Sequence, residues 1–266
     1  MTKEELFAIA ERKHEFNMSY YIDEGFKIFK KNIGGFIGIV LVNLLISSAV
    51  SLIPLLGGVI SYFVGSLISA GMIFVCKKIR NGEESQFNDF FEVFKNPGPF
   101  LLLILVQVCM IMVVALPGIA VFFSLYYKTF FGGGTPSFAS MIAIFPVLLL
   151  ILIPALFLSM CYIFSFHIYL FINNDFWVAM EASRKFVMKN WLSVFGFLII
   201  IALLFALLTI VTCGLGYFVM LPFAVASIYI AFESIFKPSS NIFESKIEAF
   251  GAQQRDINTE ADEKNL

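Results

Sequence analysis

The chain has 266 residues, of which 59% are hydrophobic, 17% aromatic and only 14% charged, where an ordinary water-soluble domain carries about a quarter charged. With a mean hydropathy of +0.89, that composition excludes a soluble globular domain and points to an integral membrane protein. A net charge of -1 excludes a general nucleic-acid binder, which needs a basic face to displace counterions from phosphates.

The first segment, residues 1–31, mixes acids and bases and lacks the apolar core and small-residue cleavage site of a signal peptide, so no processing is expected. It reads as a cytoplasmic amphipathic segment, with Ile22, Phe26, Phe29 and Ile33 on one stripe. Beyond it, a hydrocarbon core of about 30 Å requires about 20 apolar residues in helical form, because a helix satisfies its own backbone in lipid. Six stretches qualify: 33–53, 58–76, 98–116, 142–165, 192–212 and 217–236. The apolar part of 118–140 is too short to span, so it is expected to be interfacial or re-entrant, followed by a hinge at "GGGTPS". The polar tail 238–266 is expected to be partly disordered.

Charge predicts the orientation. With both termini in the cytoplasm, every one of the 18 Lys and Arg except Lys128 falls on the cytoplasmic side, as the positive-inside rule requires. Both termini are therefore expected in the cytoplasm.

Three of the six spans rise from a Lys-Asn pair: Lys31-Asn32, Lys95-Asn96 and Lys189-Asn190. A turn-forming residue follows each at a similar distance, at Pro54, Pro117 and Gly214. Upstream of the second pair, Phe87, Phe90, Phe91 and Phe94 recur at helical spacing; upstream of the third, Phe176, Met180, Ser183 and Val187 do so. The pattern predicts an all-α, polytopic bundle of six transmembrane helices. They form three parallel-repeat hairpins, about 19–80, 87–172 and 174–237, each entered through a cytoplasmic elbow helix lying in the interface. Lysine at an elbow can reach lipid phosphates while asparagine satisfies backbone freed at the bend. Trp177 and Trp191 fall at headgroup depth in the same scheme.

Within the spans, Gly57, Ser61, Gly65 and Ser69 keep a four-residue beat that lets helix backbones approach closely, within the bundle or across a dimer. Asn43, Ser47 and Ser51 make a polar seam, expected to face Ser61, Ser69 or Gln107 on neighbours. The seam serves either interhelical hydrogen bonds or the wall of a polar cavity for a small solute or lipid headgroup. His167 and Glu233 lie near the cytoplasmic ends of their spans and would form a protonatable pair if adjacent. No ionisable residue sits at mid-membrane, which weighs against ion-coupled transport.

No phosphate loop, zinc-protease motif or nucleophile elbow is present. Cys76, Cys109, Cys161 and Cys213 form no Cys-x-x-Cys pair. Neither catalytic nor metal residues, nor a cofactor, are expected. The "KNW" at 189–191, the Pro or Gly break and the closing "LPFAVASIYIAFE" at 221–233 resemble the membrane domain accompanying some bacterial glycerophosphodiester phosphodiesterases and related integral membrane proteins. The resemblance covers about residues 19–237 and implies an inner-membrane helical bundle; the soluble phosphodiesterase part has no counterpart here. The function expected is that of a non-enzymatic accessory or organising subunit, with membrane lipids and a membrane-protein partner or a second copy as partners. The alternative is a carrier or channel for lipid or a small amphiphile.

Overall fold

The computed structural model describes residues 2–53, 56–130 and 138–236; the tail 238–266 and the "GGGTPS" hinge lie outside them. Among the described residues every regular element is helical. Five helices among these residues are long and apolar enough to cross a membrane, or six when one sharply bent pair is counted as a span. The chain is thus a multi-pass membrane helical bundle.

Helix α1 (Lys3–Ala10) begins at a capping box in which Thr2 and Glu5 satisfy each other's backbone N–H, and α2 (Met18–Lys31) is capped by Asn17. The chain rises as α3 (Ile33–Val50) and returns as α4 (Gly57–Arg80). A 3₁₀ segment (Phe87–Lys95) leads into α5 (Gly98–Phe130), and the two are bent by 77°. Helix α6 (Phe138–Cys161) returns beside α5 and continues, after a break at 162–164, as α7 (Ser165–Phe171). Last come α8 (Phe176–Lys189), α9 (Trp191–Val211) and α10 (Tyr217–Phe236).

The core gathers at one end of the bundle. Buried residues of α3 are Phe36, Ile39 and Val40, near its start, and those of α9 are Val194, Phe197 and Ile201, in its first half. The far halves of both present Leu44, Leu45, Leu203, Leu207 and Ile210 outward, as lipid-facing surface would. At the packed end, Phe36 meets Phe90 edge-on, Phe186 meets both Phe164 and Phe236, and Phe197 meets Tyr21. Helix α10 runs through the middle, against α2, α3, α4 and α9.

Three short helices close this end, each on a returning helix: α2 on α10, the 3₁₀ segment on α4, and α8 on α6 and α7. Two of the crossings need glycine. A Cβ at Gly71 of α4 would overlap the Phe90 carbonyl, and one at Gly25 of α2 would lie 2.7 Å from the Ser227 Cα.

Three expectations are corrected. First, Pro117 does not end a span. Residues 98–130 form one helix with Pro117 inside it, so 118–130 is no separate interfacial segment. A Pro-Gly pair breaks helices readily in water, but in an apolar medium the backbone has no alternative partner and the helix persists. Second, "FNDFFEVFK" is 3₁₀ rather than α-helical, so three residues per turn put Val93 behind Phe90 on the buried line and leave Phe91 and Phe94 half-buried beside it; Phe87, at the start of that line, is exposed. Third, α2 buries Tyr21, Gly25, Ile28 and Phe29, whereas Phe26 and Ile33 are exposed. The close Gly25 crossing turns the helix by about one position from its apolar stripe.

Gly71→Ala should lower the thermal unfolding midpoint in detergent by an amount equivalent to about 1–3 kcal/mol. Gly58→Ala, with nothing within 4 Å of the added carbon, should leave it unchanged or slightly raised.

Candidate functional site at the charged end

Two of the three Lys-Asn pairs mark junctions that the asparagine side chain holds together. Asn32 ends α2 and caps α3: its Oδ1 accepts the Gly35 N–H at 2.9 Å, and its Nδ2 donates to Ser85 Oγ at 2.8 Å, tying the α4–3₁₀ loop to the bend. Asn190 does the same at the α8–α9 junction for the α1–α2 linker. Its Oδ1 accepts the His14 N–H at 2.9 Å, and its Nδ2 donates to the carbonyls of Arg12 and Phe186, each at 3.1 Å. Asn96, between the 3₁₀ segment and α5, is exposed. Lys31 and Lys189 are exposed beside their asparagines, and Lys95 pairs with Glu92 at 2.8 Å. Trp191 opens α9 at the third junction and Trp177 lies in the first turn of α8; both are half exposed.

A fork of hydrogen bonds from Arg80 joins three helices. Its Nε donates to Glu233 of α10 at 2.9 Å, Nη1 to Glu24 of α2 at 2.7 Å, and Nη2 to the Tyr20 hydroxyl at 3.1 Å. Guanidinium suits this role because its planar donors can serve several acceptors at fixed angles. Lys78 meets Asp89 at 3.0 Å and Lys185 meets Glu11 at 2.8 Å, fixing the 3₁₀ segment to α4 and the α1 end to α8. Hydrogen bonds from Lys27 first, and then Arg80, hold the Glu24 carboxyl below its ordinary range, and Arg184 does the same for Glu181.

The histidine and Glu233 do not pair. Glu233 is taken by Arg80, and His167 is 3% exposed among Phe164, Tyr229 and Phe232, with neither ring nitrogen hydrogen-bonded among the described residues. Nearby, the Lys77 ammonium stands 4.6 Å from the centre of the Phe171 ring. Among the described residues no three His, Cys, Asp or Glu side chains converge to hold a metal ion. A recess of about 380 Å³ opens between α5, α7 and α8, lined by Gly98, Leu102, Tyr169, Asn174 and Phe176.

The seam and the small-residue line meet in the α3–α4 hairpin. Gly65 faces the Asn43 amide, with 3.8 Å from its would-be Cβ to Oδ1, and a Cβ at Gly57 would lie 2.5 Å from the Val50 carbonyl oxygen. Asn43 Oδ1 and Ser61 Oγ are buried with no hydrogen-bond partner among the described residues. Ser69 donates to the Gly65 carbonyl at 2.9 Å, Ser51 is exposed and donates to Ser48 at 2.7 Å, and Ser47 is half-buried. Gln107 lies elsewhere: buried on α5, it donates to Ser165 of α7 at 2.6 Å.

Sequence reasoning missed the Arg80 fork and the role of Ser183. The Ser183 hydroxyl on α8 donates to the Cys161 carbonyl at 2.7 Å and accepts the Phe164 N–H at 3.2 Å, closing the break between α6 and α7 from outside. Ser183 had signalled itself only as a small polar residue on an apolar line, and Arg80 only as one more cation at a span end. No protein-family model matches the chain, and neither a curated protein nor a solved structure matches it.

Asn190→Ala should cost about 1–3 kcal/mol by removing the side-chain acceptor of the His14 N–H and the donor to the Arg12 carbonyl, while the Phe186 carbonyl keeps the backbone N–H of residue 190. The specific sign is faster tryptic cleavage at Arg12 and Lys13, while sites in α8 stay protected. A carboxylate with a lowered pKa contributes stability that is full above the ordinary value of 4.5 and lost as pH falls through the lowered one. Replacing Glu24 and Glu181 by glutamine should therefore lower the unfolding midpoint in detergent at pH 7 and weaken its fall as pH drops below the ordinary carboxylate value of 4.5.

Proposed function

We propose that this chain is a bacterial inner-membrane protein with both termini cytoplasmic, and that it is a non-enzymatic accessory or organising subunit of an envelope or membrane-homeostasis system. The observation that carries the reading is the end plate itself, in which α2, the 3₁₀ segment and α8 each clamp a returning helix. The reading takes them as the elbows of three repeated hairpins: each elbow grips the hairpin before it, and the first grips the last. Such a closed arrangement gives a rigid platform at the level of the lipid phosphates, fastened by Arg80 and the junction asparagines. The exposed Lys31, Lys189, Trp177 and Trp191 suit contact with headgroups. The likeness to the membrane domain of glycerophosphodiester phosphodiesterases belongs to the same proposal and brings no catalytic residues with it.

A second reading, a carrier for lipid or a small amphiphile, is favoured by the unpaired polar atoms of Asn43, Ser61 and, on α9, Thr209, since such atoms in lipid would gain from a polar solute. Affinity purification in mild detergent followed by mass spectrometry should recover a membrane-protein partner or a second copy in fixed ratio. Vesicles holding the purified protein should not move labelled lipid between leaflets. A protein that purifies alone and moves lipid would overturn the organising role in favour of the carrier.

A further inference from the structure

The hairpins differ in length, and the difference is large against the thickness of a bilayer. At 1.5 Å per residue, α3 is about 27 Å long, α9 about 32 Å and α10 about 30 Å; α4 is about 36 Å, its last residues Lys77–Arg80 lying in the charged end. Helix α5 is one uninterrupted helix of about 50 Å. Its return arm matches it, since α6 and α7 together cover Phe138–Phe171. The register of the pair agrees with this count. Gly118 packs on the Ile151 side chain, and each stands about 30 Å along its arm from the charged-end residues Gly98 and Phe171. Both arms then continue past that crossing.

Set on one end plate, these hairpins cannot reach the same depth. The hydrocarbon core is about 30 Å thick and the whole bilayer about 40–45 Å with its headgroups. At an ordinary tilt of about 20°, α5 traverses all of it, headgroups included. That puts Tyr126 and Tyr127, both exposed, at the far headgroup level where aromatic side chains collect. Counted from Asn32 and Asn190, the rising helices of the other two hairpins, α3 and α9, are at least 15 Å shorter by the same count. Their tips are apolar and bare: Leu52 is 83% exposed, Ile210 76% and Leu215 69%. Tips of that kind belong in acyl chains, and a span too short for its bilayer thins it locally.

We propose that the protein carries two hydrophobic lengths in one molecule, and that the lipid it fits is a bilayer thinned around α3–α4 and α9–α10 in the leaflet away from the charged end. Around α5–α6 the bilayer keeps its full thickness. The proposal rests on the membrane-spanning placement alone, so its failure would leave the organising role standing.

The two tips can be read in one preparation. Cys213 lies in the α9–α10 turn and is exposed, Cys109 is exposed part-way along α5, and Cys76 and Cys161 are buried. The full chain, carrying Tyr127→Cys as a second reporter, would be reconstituted in monounsaturated phosphatidylcholine vesicles of fourteen-, eighteen- and twenty-two-carbon chains. A membrane-impermeant maleimide is applied and the labelled peptides are identified by mass spectrometry. Lengthening the chains from fourteen to twenty-two carbons should slow labelling of Cys213 at least tenfold and change labelling of the introduced cysteine by no more than about twofold. If that variant fails to fold, an impermeant acylating reagent on Lys128 of the unaltered chain replaces it. Equal responses at the two tips, or a Cys213 rate indifferent to chain length, would overturn the proposal.

Discussion

A polypeptide that bends at the edge of a membrane must supply its own hydrogen-bond partners for the backbone that the bend frees, and the organisation of this protein follows from how it does so. Inside a helix the ladder satisfies itself; at a junction several N–H and C=O groups are left over, in a zone where water is scarce. Here the leftovers go to short amide and hydroxyl side chains that also reach a second segment. Asn32 binds both its own helix start and Ser85, Asn190 binds the α1–α2 linker, and Ser183 serves both sides of the α6–α7 break. Each bend is therefore also a tether, and the tethers build the end plate.

Charge completes what the amides begin. Arg80 belongs to α4 but is held by acids of α2 and α10, so three elements remote in sequence are locked at one point. Two further pairs at this end, Lys78 with Asp89 and Lys185 with Glu11, each join a short helix or its flank to a longer one. Singly, partly exposed pairs contribute little; arranged around one plate, they fix the angle at which each short helix lies.

The sequence made the spans legible because hydrophobic length is a one-dimensional property, and it marked the bends because Lys-Asn beside an apolar run has few other uses. It did not disclose which face of α2 would be buried. That depends on Gly25 passing Ser227, an encounter between residues some two hundred positions apart. It also misplaced the turn of the second hairpin at Pro117, since local turn chemistry presumes water. The phenylalanine run before α5 was seen as amphipathic, but its tighter winding was not, because 3.0 and 3.6 residues per turn are hard to separate over so few residues. The partners of Asn190 and Arg80 could not be read at all: a hydrogen bond between distant segments leaves no periodicity.

Helix α2 leaves the ribosome some two hundred residues ahead of α10, the helix it packs against. At about 5–20 residues per second, synthesis leaves the Gly25 face without its mate for roughly 10–40 s. Until then the half-made protein has a loose end whose mate, α10, is still to come. A nascent chain cut short anywhere before α10 displays an unclaimed amphipathic helix, a feature by which quality-control proteases could tell it from the finished molecule.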